Sequence, residues 1–298
     1  MNELQIVPIT VVIPTCNRIL FLQKALDSLS ELRRLPSEII IVVDAASNQR
    51  ELRLIQQYSN LKIKCILNKN QPGANGARNT GIEQANTQFI LFLDDDDRVS
   101  SGYLSDTSIF SSEVLDKCYF GEKLFYLSKN LSEPLKKRTK LSKMITNEDL
   151  RQGNLIGTTS GVIMPTRVAK KIKFDEELPA MQDFDFWLRS TMQGQRFFLL
   201  ENAFVKYTIH QGTSQISSDY NRHLAAETMI LNKPCILDKN HMPTLKKSLF
   251  YMTQKVIHRS SHITILKRFI MNYNLITPKC VKLIIPYKIM KIFGFYST

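Results

Sequence analysis

Two short runs, Ile9 to Ile13 (ITVVI) and Glu38 to Val43 (EIIIVV), are β-branched and almost continuously apolar. A strand with one face in water alternates apolar and polar residues, whereas an unbroken run suits a strand buried on both faces of a parallel sheet. Between them Leu20, Leu22, Ala25, Leu26 and Leu29 recur at helical spacing, so the segment reads as strand, helix, strand. The alternation continues with a helix near 50–58, a strand at 61–67, a helix near 75–85 and a strand at 88–93 (QFILFL). This predicts a doubly wound α/β sheet flanked by helices, whose ligands bind beyond the carboxyl ends of the strands.

The pattern is weaker over residues 100–153, where a helix, then one or two strands near 117–127, then a loop are expected, with a basic cluster at Lys136, Lys137, Arg138 and Lys140. A second structured stretch runs from Gly153 to about Ser217 and includes a helix around Asp183 to Met192. After Asp219 the chain is amphipathic with helical spacing, punctuated by Pro234, Pro243, Pro278 and Pro286 into short helices.

Composition adds little to this picture: 298 residues, 43% hydrophobic and 22% charged, suffice for one large α/β domain with an appendage. Charge adds more. The formal net charge is +13, yet Asp238 is the last acidic residue, and 11 Lys and Arg follow it, leaving +2 on residues 1–238. The body is near neutral and the tail is basic. Five cysteines without CxxC spacing argue against a disulfide framework or a structural zinc site and favour a reducing compartment. The first residues show no basic and apolar leader pattern, and no apolar run reaches the roughly 18 to 20 residues that cross a bilayer. A cytoplasmic location is the expectation.

The most informative chemical feature is Asp94, Asp95, Asp96 and Asp97, placed directly after the strand ending at Leu93. Neighbouring carboxylates about 5 Å apart repel by roughly 3 kcal/mol at an effective dielectric near 20, so positive charge is required there. Hard oxygen ligands suit Mg²⁺ or Mn²⁺, which keep other positions for water and substrate phosphates; a solvated acidic turn capping a helix is the alternative. Other predicted strand ends supply matching signals: Pro14 and Thr15 in VVIPTCNR, and Asp44 in VVDAAS. A glycine-rich loop, GANGARNTGI, brings Arg78 toward a following helix, where it could pair with a diphosphate.

The ordered series VVIPTCNR, VVDAAS, GARNTGI and FLDDDD resembles the N-terminal half of the family 2 inverting glycosyltransferases with the GT-A fold, many of which build capsule, O-antigen or other surface polysaccharides. The likeness continues through GTTSGVIMP (157–165), QDFDFWLR (182–189) and YTIHQGTSQIS (207–217), about two thirds of the chain in the family's order. It implies a metal-dependent transfer, with Mn²⁺ or Mg²⁺, of a sugar from a nucleotide-diphosphate donor, by family habit a UDP-sugar, to a hydroxyl of a saccharide or lipid-linked saccharide. It also implies a GT-A domain over 1–218, a doubly wound mixed sheet flanked by helices, with a nucleotide-binding half (1–99) and an acceptor-binding half (100–218), followed by a basic amphipathic helical appendage (219–298).

Carried over residue by residue, the resemblance makes Thr15 and Asp44 base contacts, with Pro14 beside them in the nucleotide site, and Arg78 a donor contact. It gives Asp94 and Asp95 to the ribose and metal region, Asp96 to the metal, and His210 to the metal or diphosphate. Asp183 becomes the general base. Two positions depart from the family pattern: Ala45 where many relatives have a second acidic residue, and Gln182 where the Glu of a Glu-Asp pair is usual. Trp187, on the predicted Asp183 helix, is expected to pack, with sugar stacking the lesser alternative.

Residues 239–298 interleave Leu, Ile, Phe, Tyr and Met with Lys and Arg. Such helices can lie on an anionic membrane surface, which would place the enzyme at the inner face of the cell membrane, or can pack on the core with a solvated basic face. A sugar nucleotidyltransferase is disfavoured because VVIPTCNR has no glycine-rich basic loop. Nucleic acid is not an expected partner, because the body is near neutral and acidic at its most distinctive motif.

Overall fold

A computed structural model of the chain describes residues 5–110, 117–127, 136–137, 142–209, 219–236 and 242–256. The elements of the first third are β1 (Ile6–Thr15), α1 (Ile19–Ser30), β2 (Leu35–Val43), α2 (Gln49–Ile55), β3 (Ile63–Leu67), α3 (Ala74–Gln84) and β4 (Phe89–Phe92). β5 (Arg98–Val99), β6 (Cys118–Leu127), β7 (Lys136–Lys137), β8 (Met144–Ile145), α4 (Asn147–Arg151) and β9 (Val162–Pro165) follow. Then come α5 (Thr166–Ile172), α6 (Gln182–Met192), β10 (Phe197–Ile209), α7 (Tyr220–Leu231) and α8 (Met242–Lys255).

The apolar runs are buried on both sides, as their lack of alternation requires. Ile9, Val11 and Ile13 enter one core with Leu22 and Leu26 of α1, while Val12 enters the opposite core with Ala77 and Ile82 of α3. α1 and α2 cover one face; α3, α5 and α6 cover the other. The helix expected after residue 100 is instead, among the described residues, a single 3-10 turn at Thr107–Phe110. Its residues lack the apolar stripe over several turns that makes helix burial worthwhile.

The strands form one sheet in the order β3-β2-β1-β4-β9-β6-β10-β5, with β7 beside β6 and β8 beside β10. β1, β2, β3 and β4 run parallel; β9 then joins β4 antiparallel, and β6 and β10 are parallel to each other. The sheet is therefore mixed. The chain order reverses at the β1/β4 pair, the kind of switch point where α/β sheets open a crevice for ligands. α3 lies very close to β1 and β2, because a Cβ at Gly81 would sit 2.4 Å from Val12 Cγ1 and 3.3 Å from Val42 Cγ2.

The described part of the C-terminal region packs on the domain. Ala226 and Ile230 of α7, Ile236, and Leu245 and Leu249 of α8 are buried in the same core as Trp187. Lys233, just after α7, reaches Asp185 of α6 at 2.6 Å and Asp175 at 2.7 Å, tying the two segments by charge. Lys246 and Lys247 face outward from α8. The apolar face of α8 is thus used on the protein core, the packing alternative for that helix; the tail beyond Val256 lies outside the described residues. Among the described residues, no helix is long and apolar enough to cross a membrane.

Candidate active site

At the carboxyl ends of β1, β2 and β4 a cavity of about 750 Å³ opens, within the size range of small-molecule sites. Pro14 and Thr15 end β1, Asp44 follows β2, and Asp94, Asp95 and Asp96 follow β4; all line this cavity, as does Arg78. The sheet brings them together because each directly follows a strand of one parallel set. Arg78 sits in α3 itself, since the helix begins at Ala74. Gly73 precedes it at φ +117°, a conformation costly for any other residue, and donates its N–H to Asp44 Oδ2 at 2.7 Å. Asn68 donates to the other Asp44 oxygen at 2.9 Å, so this carboxylate fixes the loop entering α3 while facing the cavity.

The charge needed among the four aspartates comes from two arginines. Arg78 Nη2 donates to Asp94 Oδ1 at 2.6 Å. Arg18, at the start of α1, forks onto two carboxylates, with Nη1 3.0 Å from Asp95 Oδ1 and Nη2 2.5 Å from Asp96 Oδ2. Burial pushes the Asp95 carboxyl up to about 7, although Arg18 and a 2.7 Å hydrogen bond from Thr15 pull it down. Asp97 has a different place. It is fully buried, is not among the residues lining the cavity, and accepts the Thr208 backbone N–H at 3.0 Å. Its burial raises its pKa well above the ordinary carboxyl value. Together with the Thr208 hydroxyl on the Asp96 carbonyl, this pins β10 against the aspartate turn.

The far wall comes from α6 and the segment before β9. Met181, in the left-handed region at φ +56°, turns the chain into α6 and sets Gln182 and Asp183 at the cavity. One Asp183 oxygen accepts the Phe184 N–H at 2.7 Å and the other accepts Asn154 Nδ2 at 3.1 Å. Burial raises the Asp183 pKa, opposed by these bonds and by the charges of Lys123 and Arg78. A carboxylate so placed is a stronger base than one in water. Trp187 is fully buried and donates to the Gly157 carbonyl at 3.0 Å, so it packs and offers no face to a sugar.

Sequence reasoning missed several groups of this site. Thr159 donates to Asp94. Lys123, buried on β6, donates to Ile156 O at 3.4 Å and to Thr158 Oγ1 at 2.9 Å, holding the segment that presents Asn154 to Asp183. A lone lysine in a strand reads as solvent-facing, so no local signal marks it. His223 of α7 and Met252 of α8 also line the cavity, which brings the C-terminal helices into the site. His210 lies outside the described residues.

The donor set can be tested against a hard divalent cation. Among the described residues, no group of three or more His, Cys, Asp or Glu is arranged to hold a metal alone. Asp94 and Asp96 nevertheless offer carboxylate oxygens at the cavity wall. One or two protein carboxylates completed by water and substrate phosphates is the usual way Mg²⁺ is held beside a nucleotide. The residues fit such an ion.

Comparison with known proteins agrees with this architecture. The profile described as glycosyl transferase family 2 matches residues 10–108. The GalNAc(5)-diNAcBac-PP-undecaprenol beta-1,3-glucosyltransferase of Campylobacter jejuni is 31% identical over 214 residues, 69% of this chain and 66% of that protein. The chain therefore spans about two thirds of that relative's length. Among solved structures, Staphylococcus aureus TarS 1-349 in complex with UDP-GlcNAc superposes with a TM-score of 0.65 at 18% identity, over 96% of this chain and 84% of the other. The mannosyltransferase PcManGT of Pyrobaculum calidifontis, in complex with GDP-Man and Mn²⁺, superposes with a TM-score of 0.57 at 12% identity, over 93% and 83%. With this family match, this relative and these structural likenesses, the chain belongs to glycosyltransferase family 2 and has the GT-A fold.

Proposed function

We propose that the protein transfers a sugar, with inversion, from a nucleotide-diphosphate donor to a hydroxyl of a saccharide acceptor in surface polysaccharide synthesis. The observation that carries this reading is that one cavity is lined by the strand-end carboxylates and by Asp183. Thr15, Asp44 and Arg78 bind the nucleotide side. Asp183, held by Asn154 and the Phe184 N–H, accepts the proton of the attacking hydroxyl. A Mn²⁺ or Mg²⁺ ion held by Asp96, with Asp94 beside it, would act as a Lewis acid on the departing diphosphate. Attack from the Asp183 side, opposite the leaving group, gives inversion in one displacement.

A UDP-sugar is the preferred donor; the Campylobacter relative, named for an undecaprenol-linked substrate, supports a lipid-linked acceptor. Contact of residues 239–298 with an anionic membrane would suit such an acceptor. The argument for it is the charge asymmetry, since α8 has committed its apolar face elsewhere.

Calorimetric titration of UDP with and without Mn²⁺ tests the reading. The parent should bind UDP more tightly with Mn²⁺, and Asp96→Asn should lose roughly tenfold or more of that affinity. UDP binding indifferent to Mn²⁺ in both proteins would remove the cation from the mechanism. No binding of any nucleotide sugar would remove the donor site.

A further inference from the structure

Arg18 is the least expected member of the aspartate cluster, because it caps the N-terminus of α1 three residues beyond the end of β1. Its guanidinium bridges Asp95 and Asp96 and lies 4.6 Å over the Phe21 ring. Its side chain keeps 38% of its exposure, against 4% for Asp95 and 17% for Asp96. Thr15 holds the Asp95 carboxylate, and the Thr208 hydroxyl holds the Asp96 backbone carbonyl. Arg18 is the most exposed of the three side chains and sits on a long stem, so it is the partner best able to move.

An ion on Asp96 would lie within a few ångströms of this guanidinium, and two positive charges at that separation repel strongly in a partly desolvated site. We propose that Arg18 is the resident counter-ion of the Asp95 and Asp96 carboxylates, that it gives way to a divalent cation, and that it thereby makes cation binding conditional on the donor's phosphates. The inference rests on the reading that the cation binds at Asp96. Without a nucleotide, an incoming ion gains carboxylate oxygens already neutralised by Arg18. With a diphosphate present, the ion gains phosphate oxygens, and the released guanidinium faces new negative charge in the same cavity. Phe21 keeps the arginine at the site in either position, through its ring face. The device would prevent the empty enzyme from filling with metal and would couple the two halves of the donor complex.

The test is Mn²⁺ affinity, measured by electron paramagnetic resonance with and without UDP, in the parent, Arg18→Gln and Asp96→Asn. Without UDP, Arg18→Gln should bind Mn²⁺ about fivefold or more tightly than the parent. The tightening that UDP brings should be smaller in Arg18→Gln than in the parent. Asp96→Asn should lose the ion in both conditions, which locates it. Thermal melts give a second readout: Arg18→Gln should melt lower than the parent without metal, and Mn²⁺ should raise its midpoint further than the parent's. Equal or weaker Mn²⁺ binding by Arg18→Gln without UDP would overturn the proposal while leaving the cation site intact. Failure of parent and variant alike to bind Mn²⁺, even with UDP, would remove the site itself and this proposal with it.

Discussion

The two walls of the cavity are built by different means. The donor wall consists mostly of residues at or just past the ends of β1, β2 and β4, three parallel strands whose ends are aligned by register, with Arg78 added from α3. The acceptor wall gathers Asn154, Asp183, Tyr207, His223 and Met252 from five separate segments. Parallel strands place consecutive strand ends side by side without further instruction. The other wall depends on how α6, β10, α7 and α8 pack, so its geometry comes from the core. A change in packing should therefore disturb the acceptor side more than the donor side, and direct changes should separate binding from chemistry.

The sharpest separation comes from Asp183→Asn. Turnover should fall by about 10² to 10⁴ while UDP affinity by calorimetry stays at the parent value; undiminished turnover would show that the base lies elsewhere. Leu249→Ala, at a fully buried position of α8, should lower unfolding free energy by about 3 kcal/mol. If α8 were an appendage detached from the domain, urea unfolding followed through Trp187 would keep its midpoint. Gly81→Ala probes the donor wall, where the new methyl would press on Val12 at 2.4 Å and Val42 at 3.3 Å. A loss of about 2 kcal/mol is expected, together with weaker UDP binding, because α3 also carries Arg78.

The last effect concerns pH. Asp95 titrates near its ordinary 3.8 when unfolded and near 7 when folded. The folded protein then holds an extra proton between those values, so this group's contribution to stability is present below about 3.8 and is lost as the pH rises through about 7. Denaturation measured across that window should show the decline in the parent and a flatter profile in Asp95→Asn. The same slope in both would place the titration on another group.

The donor wall was legible in the sequence because its chemistry adjoins its structure. An unbroken apolar run announces a buried strand, and the next polar residue is its ligand-facing end. Pro14, Thr15, Asp44 and Asp94 to Asp96 were all found in this way, and the likeness to a known family then ordered them. Arg18 lies within the same VVIPTCNR motif, yet its pairing with carboxylates 77 and 78 residues away follows from the pairing of β1 with β4, which no local pattern encodes. Asp183 was found only through its motif, since a carboxylate in the first turn of a helix is ordinary on dipole grounds.

Periodicity and strand-end chemistry were enough to specify a doubly wound parallel core and most of one wall of the cavity, because both depend on short-range order along the chain. The antiparallel insertion of β9, the burial of Lys123, the inward-turned Asp97 and the docking of α7 and α8 were settled by long-range packing. Each of these depends on which surfaces and charges meet once the chain is compact, where desolvation makes an unpaired polar group costly and a paired one structural.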